Sequence, residues 1–241
     1  MATFVVAHGA WSAGWVWKKM RPLLRGFGHE IFTPTYTGLG ERVHLAHPDI
    51  DLETHIADML GVLECEDLKD VVLIGHSYGG MVATGVADRA PQRIARLVYL
   101  DAFAPRDGQS LWDLGNPAAR KSLRPGQWQV ASNPPPPDTP ASDIEWVTPR
   151  RFPQPIKCFT QKLKLTGAVD KLPRTYIYCT RPAPGDGFRQ FAERAKKEGW
   201  QYLEIDSSHN PHITNPGTLA RLLHRIATQR FPTPVKASVR L

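Results

Sequence analysis

The chain has 241 residues, of which 41% are hydrophobic and 22% charged, and its formal net charge is +7. This length is enough for a single domain, 1–241, with a buried core. The composition is typical of a globular protein, and only short Pro-rich patches indicate disorder. The lysines and arginines are scattered and are not interleaved with aromatic residues, so we expect no nucleic-acid partner. No stretch reaches the ~18 apolar residues of a membrane span, and no basic segment precedes the first apolar run, so we expect neither a membrane segment nor a signal peptide.

The cysteines are few and far apart. Cys65, Cys158 and Cys179 form no CxxC pair and no cluster with histidines. This odd, dispersed set predicts no disulfide framework and no metal site. A reducing cytoplasm is therefore the expected location.

Apolar and amphipathic stretches alternate along the chain. The apolar stretches predict six strands: Thr3–Ala7, Glu30–Thr33, Asp70–Gly75, Arg96–Leu100, Arg174–Cys179 and Gln201–Ile205. The amphipathic stretches predict helices over Val16–Leu24, from Asp51 to about Cys65, and over Tyr78–Arg89, Phe188–Glu198 and Thr218–Gln229. Strands that alternate with helices in this way predict an α/β fold with a doubly wound, mostly parallel sheet.

One segment, approximately 104–170, interrupts the alternation. It contains the run Asn133–Pro137 and short helical pieces. Because an extended proline run cannot join a central sheet, we interpret this segment as an inserted, Pro-rich helical lid.

The segment Gly75–Gly80 reads GHSYGG and lies between a predicted strand and a predicted helix. This is the context of a G-x-S-x-G elbow, in which small residues let the backbone pack tightly and a strained turn presents the serine. The following helix directs N–H groups toward a developing oxyanion. The pattern predicts that Ser77 is a nucleophile.

A second turn, His8–Trp11 (HGAW), follows the first strand. A glycine-containing turn at this point of such a fold brings backbone N–H groups near the nucleophile. We expect the N–H groups of Ala10 and Tyr78 to form an oxyanion hole.

The base is expected late in the chain, after the last strand. His209 and His212 are the histidines in that window, and His209 lies four residues beyond the strand. The sequence therefore predicts His209 as the base, with His212 as a lining or capping residue. His55 is assigned by pattern to an exposed helix face.

The acid that orients the base has two candidates. Asp101 directly follows the strand Arg96–Leu100, in an apolar setting where an unpaired carboxylate would be costly. Asp186 lies in the loop after Arg174–Cys179, seven residues beyond the strand, where it could equally cap a helix. Asp101 is the first choice and Asp186 the alternative.

Three segments carry a family resemblance: Gly75–Gly80, His8–Trp11 with Trp15 and Trp17, and Thr37–Arg42 (TGLGER). Together they resemble the α/β-hydrolase superfamily, and within it bacterial carboxylesterases related to plant methylesterases and hydroxynitrile lyases. The resemblance implies a Ser-His-Asp triad, the oxyanion hole just described and no cofactor. The family's usual aspartate before the last helix-strand unit has no clean counterpart.

The same resemblance separates hydrolysis from lyase chemistry. The lyases carry a hydroxyl residue where this chain has Gly9, and a lysine where it has Asn210. Ser77 also excludes the relatives that use an aspartate nucleophile. The resemblance thus implies a serine carboxylesterase for a small or medium apolar ester, with a hydroxynitrile lyase, a cofactor-free oxygenase or a slow-turnover ligand receptor as the alternatives.

Substrate-binding residues are expected at Trp11, His76 and Trp128. Aromatic residues of the predicted lid are expected to shape an apolar pocket: Trp112, Trp128, Trp146 and Phe159. The expected partner is a small-molecule ester, and the sequence leaves a homodimer open.

Overall fold

A computed structural model of the protein describes residues 1–115, 124 and 126–228. Six parallel strands form its central sheet, in the order β2-β1-β3-β4-β7-β8. They are β1 Thr3–Ala7, β2 Glu30–Phe32, β3 Val71–His76, β4 Ile94–Leu100, β7 Arg174–Cys179 and β8 Gln201–Ile205. The predicted parallel sheet is therefore confirmed.

The described α-helices lie mainly on the two faces of this sheet. They are α1 Met20–Gly26, α2 Leu52–Cys65, α3 Gly79–Arg89, α4 Leu111–Leu114, α5 Ala141–Val147, α6 Lys157–Thr160, α7 Arg189–Lys197, α8 Pro211–Thr214 and α9 Pro216–Thr228. Among the described residues, no helix is long and apolar enough to cross a membrane. Gln229, the predicted end of the last helix, lies outside the described residues.

Alternate residues of each strand divide between two buried clusters. Val5 and Leu73 pack with α2, α3 and α7 on one face, whereas Phe4 and Ile74 pack with α1 and α9 on the other. Every residue of β3 is buried, as expected for a central strand covered on both sides. The carboxyl ends of β3, β4 and β8 thus meet at one edge of a rigid sheet.

One predicted helix is wrong in its boundaries. The stretch Val16–Leu24 is divided into a 3-10 turn, Gly14–Trp17, and α1. Pro22 explains the division, because proline has no N–H to donate and is tolerated only in the first turn of a helix. The helix therefore begins at Met20.

The segment 104–170 connects β4 to β7, and its described residues contribute no strand to the main sheet. It contains α4, α5 and α6 and a short antiparallel pair, β5 Gln129–Val130 and β6 Gln154–Pro155. Its residues 116–123 and 125 lie outside the described part of the chain. Its function as a lid, and the single domain 1–241, stay predictions.

Candidate active site

The turn between β3 and α3 holds Ser77 in a left-handed backbone conformation, with φ of 54°. Its N–H donates to the Leu100 carbonyl at 3.4 Å, and its carbonyl accepts from Gly80 N–H at 3.0 Å and Phe103 N–H at 3.1 Å. Such a conformation costs about 1 kcal/mol or more in a non-glycine residue and persists only where the surroundings enforce it. The flanking strand, helix and loop therefore hold a strained serine at the end of the sheet.

The glycines of the elbow are required by close backbone approaches. A Cβ at Gly79 would lie 2.0 Å from the Ala7 carbonyl oxygen, and one at Gly75 would lie 2.8 Å from the Gly79 carbonyl oxygen. A Cβ at Gly80 would lie 2.0 Å from the Phe103 carbonyl oxygen. The spacing of GHSYGG thus follows from the packing of the elbow against its neighbours.

The turn after β1 lies directly against the elbow. A Cβ at Gly9 would lie 3.3 Å from Ser77 Cβ and 2.9 Å from His76 Nδ1. In the described part of the chain, the N–H groups of Ala10 and Tyr78 donate to no other group. Two unpartnered N–H groups on segments that adjoin a serine are what an oxyanion hole needs.

His209 is held by Asp101. The His209 Nδ1 and Asp101 Oδ2 atoms lie 2.7 Å apart, and the second carboxylate oxygen accepts from Cys179 N–H at 3.2 Å. Asp101 is almost completely buried and has φ of 42°. Because a carboxylate only accepts, Nδ1 carries the proton and the Nε2 lone pair remains available as a base.

Asp186 has different partners. Its carboxylate accepts from the Tyr178 hydroxyl at 2.6 Å, from Arg189 Nε at 2.8 Å and from Arg189 N–H at 3.2 Å. Burial, followed by the Asp186 carboxylate, raises the pKa of Tyr178 to about 12. The structure therefore brings Asp101 to His209 and places Asp186 at the start of α7.

Two more histidines surround the pair. His76 donates from Nε2 to the His209 carbonyl at 2.8 Å, and His212 stacks on Trp17 with ring centroids 4.9 Å apart. Burial lowers the pKa of His212 to about 3, and it holds the pKa of His76 well below its usual value. Both rings are neutral near pH 7, so neither brings a competing positive charge to His209.

Trp11 joins the oxyanion turn to the 104–170 segment. Its Nε1 donates to the Val130 carbonyl, and its N–H donates to Gln154 Oε1, both at 2.9 Å. The Phe159 ring lies 5.7 Å from the rings of both Trp11 and Tyr78. Trp128, in contrast, is 38% exposed, and no ring contact joins it to these residues in the described chain.

Phe188 is a site neighbour that was not predicted: its ring stacks on His209 with centroids 4.8 Å apart and an interplanar angle of 11°. Nothing in the sequence indicates this contact, because Phe188 is an ordinary residue at the start of a predicted helix.

The prediction that His55 lies on an exposed helix face is wrong. His55 is fully buried and bonds the Tyr78 hydroxyl at 2.9 Å. Its spacing from Leu52 and Met59 on α2 could have shown this, since residues three and four apart share a helix face.

The described residues contain no group of three or more histidine, cysteine or acidic side chains suited to a metal ion. Two open cavities, of about 520 and 660 Å³, lie beside α2 and beside the edge strand β2. Their lining residues include none of those at the elbow.

A sequence model of a protein family, described as the alpha/beta hydrolase family, matches residues 4–222 of the chain. A carbendazim hydrolyzing esterase from Nocardioides sp. (strain SG-4G) is 40% identical over 243 residues, which cover 92% of this chain and 98% of that protein. Methylesterase 9 from Arabidopsis thaliana is 33% identical over 106 residues, which cover 44% of this chain and 41% of that protein. The solved structure of an extracellular alpha/beta-hydrolase from a Paenibacillus species has a TM-score of 0.83 and 26% identity, with coverage of 95% of this chain and 100% of that one. The predicted resemblance is thereby confirmed, and the chain belongs to the alpha/beta hydrolase family.

Proposed function

We propose that the protein is a carboxylesterase-type serine hydrolase in which Ser77 is the nucleophile and His209 its base. One observation carries the proposal: Asp101 binds His209 Nδ1 at 2.7 Å, at the sheet edge where the elbow lies. The 3.4 Å bond from Ser77 N–H to the Leu100 carbonyl links the elbow to the residue that precedes Asp101. This network supports a Ser77–His209–Asp101 triad.

The reaction follows from these groups. Ser77 Oγ attacks the ester carbonyl while its proton passes to His209 Nε2, and Asp101 stabilises the imidazolium that forms. The N–H groups of Ala10 and Tyr78 hold the oxyanion. His209 then protonates the departing alcohol as its C–O bond breaks. Water, deprotonated by the same imidazole, hydrolyses the acyl-enzyme and restores Ser77.

The substrate class is a small or medium apolar ester. Aromatic rings next to the proposed triad and oxyanion residues support this choice: Phe159 contacts Trp11 and Tyr78, whereas Phe188 stacks on His209. The Nocardioides relative is named for carbendazim, which is a methyl carbamate of a flat aromatic compound. We therefore place methyl esters and methyl carbamates of aromatic compounds first among the substrates to test.

A fluorophosphonate probe and p-nitrophenyl acetate test the proposal together. The probe is expected to label Ser77 alone, as mapped by mass spectrometry, and Ser77→Ala is expected to lose activity by about 10⁶-fold. Ser142→Ala, which removes an exposed hydroxyl on α5, is the matched control and should retain full activity.

Two outcomes would reject the proposal. Turnover that survives Ser77→Ala would remove the nucleophile from the reaction. Cyanide release from mandelonitrile, without ester hydrolysis, would favour the lyase alternative. Carbendazim hydrolysis by the wild-type protein would add methyl carbamates to the substrate class.

The cytoplasmic location remains a prediction, and so does the absence of nucleic-acid and membrane partners. A homodimer remains an open alternative. The cysteines support the location in one respect, since Cys65, Cys158 and Cys179 are all free. Fractionation of the native cells and sedimentation of the purified protein would test these points.

A further inference from the structure

A stack of buried rings runs from the oxyanion turn to the elbow. Tyr36 lies between His8 and His55, with ring centroids 3.8 Å from the first and 4.6 Å from the second. Tyr78 meets both Tyr36 and His55 edge-on, at 6.2 and 5.8 Å. All four side chains are almost completely buried, so this ring stack is part of the core beneath the site.

At one end, the ring stack is bonded to the oxyanion turn. The Tyr36 hydroxyl donates to the His8 carbonyl at 3.2 Å, and Tyr36 N–H donates to His8 Nε2 at 3.3 Å. His8 Nδ1 then donates to the Gly9 carbonyl at 2.9 Å. The backbone that precedes the Ala10 N–H is therefore fixed by Tyr36.

At its other end, the ring stack includes Tyr78, the residue that follows the proposed nucleophile. The Tyr78 hydroxyl donates to His55 Nδ1 at 2.9 Å, and His55 Nε2 donates to the Thr37 carbonyl at 3.2 Å. The side chain of the second oxyanion donor is thus anchored through His55 to the loop after β2.

The ring stack can hold this pattern because its histidines do not change charge near pH 7. Burial lowers the pKa of His8 to about 3 and that of His55 to about 4. Each neutral ring has one donor and one acceptor nitrogen, and both nitrogens of each ring are used.

We propose that this ring stack sets the relative position of the two oxyanion donors, the N–H groups of Ala10 and Tyr78, with Tyr36 and His55 as positioning residues. The inference rests on the proposed esterase function. The donors lie on separate chain segments, and each must lie about 2.7–3.1 Å from one oxygen atom. A displacement of about 1 Å in an active site can cost about a hundredfold in rate. A shared support for both segments meets that demand.

Tyr78→Phe and Tyr36→Phe test the proposal, because each removes one hydroxyl and keeps the ring. Tyr99→Phe is the matched control: the Tyr99 hydroxyl is also buried and shares a 2.8 Å hydrogen bond with Thr84 Oγ1. Turnover of p-nitrophenyl acetate is measured per serine titrated to completion with fluorophosphonate. An aryl trifluoromethyl ketone, which adds to the serine and places an oxyanion in the hole, supplies the second readout.

Each test variant is expected to lower kcat by about tenfold and to leave KM within about twofold of wild type. The inhibition constant of the ketone is expected to rise by the same factor as kcat falls. Tyr99→Phe should change neither kcat nor the inhibition constant. Because the ring stack acts as one unit, the double variant Tyr36→Phe/Tyr78→Phe should lose less than the product of the single losses. A merely structural role would lower thermal stability without this parallel loss of ketone affinity.

If both test variants match Tyr99→Phe in kcat and in ketone affinity, the proposal is overturned. If one variant fails to fold, the other decides the question, since each tests a different end of the ring stack. Failure of the esterase function itself is recognised separately, because the wild-type protein would then lack turnover that depends on Ser77.

Discussion

Two loops of this protein each carry an aspartate after a strand of the sheet, and their comparison shows why only one of them reaches His209. Asp101 follows β4 and Asp186 follows β7, and both have positive φ, at 42° and 29°. Backbone conformation therefore does not separate them. Their partners do, because Asp101 bonds His209 and Asp186 bonds Tyr178 and Arg189.

The difference comes from distance along the chain. Asp101 is the first residue after its strand, and its N–H still donates to the Ile177 carbonyl of β7 at 2.8 Å. The sheet thus fixes its position. Asp186 lies seven residues beyond β7, where the loop has turned outward to begin α7. A carboxylate held by the sheet is the more rigid support for an imidazole.

Among substitutions in these two loops, the largest effect is expected for Asp101→Asn. An asparagine amide can donate to His209 Nδ1 and so favours the tautomer that has its proton on Nε2, which cannot act as a base. We expect kcat to fall by about 10⁴-fold. The measurement is turnover of p-nitrophenyl acetate, with the melting temperature as a control for folding. A loss below about tenfold would remove Asp101 from the triad.

The histidines near the site also differ in their partners, because among the described residues a carboxylate bonds His209 but not the buried histidines around it. Asp101 bonds His209, whereas in the described part of the chain no carboxylate bonds His8, His55 or His212. Burial lowers the pKa of His8 and His212 to about 3 and of His55 to about 4. The unfolded chain, with histidine pKa values of about 6.5, therefore binds more protons than the folded protein at mildly acidic pH.

Stability should consequently be complete above about pH 6.5 and should fall as the pH decreases toward 4. We expect a loss of a few kcal/mol between about pH 6.5 and 5, since one pKa unit corresponds to about 1.4 kcal/mol per group. Urea unfolding across this range measures the slope. His212→Phe should reduce the slope by about one proton, whereas Ser142→Ala, which changes an exposed residue without a titratable group, should leave it unchanged. If both variants had the same slope, the lowered pKa of His212 would be contradicted.

Local patterns in the sequence were sufficient to predict the sheet and the elbow. The β-branched run of β3 and the glycines around Ser77 are dictated by contacts with immediate neighbours, which a short segment of sequence records. The same holds for the HGAW turn, where Gly9 adjoins Ser77.

Features that depend on distance in space were harder to predict. The choice between Asp101 and Asp186 requires knowing which loop end returns to His209, over a separation of 108 residues from Asp101. The contact of Phe188 with His209 likewise arises from the path of the loop after β7. His55 was misassigned for a different reason: a histidine on an apolar helix face can be satisfied by buried partners that the sequence does not reveal.

A smaller effect is expected in the loop after β7. This loop contacts His209 through Phe188 and not through Asp186. The Phe188 face lies against the imidazole and should stabilise its cationic form by about 0.5–2 kcal/mol. We expect Phe188→Leu to lower kcat/KM by about threefold to tenfold, because the imidazolium formed during the reaction loses this contact. Phe27→Leu, which alters an exposed ring stacked on His224, is the matched control and should leave kcat/KM unchanged.

The smallest effect is expected for Asp186→Asn, even though this residue was the alternative acid. The carboxylate bonds Arg189, whose side chain is 60% exposed, and such ion pairs contribute about 0–1 kcal/mol. Activity should remain within about twofold of wild type, because no bond joins Asp186 to His209. Ultraviolet titration provides the positive signal: the pKa of Tyr178 should fall from about 12 once the neighbouring negative charge is removed. A lowered Tyr178 pKa with intact turnover would place Asp186 in the support of α7, whereas a loss of turnover comparable to that of Asp101→Asn would reverse the assignment of the two loops.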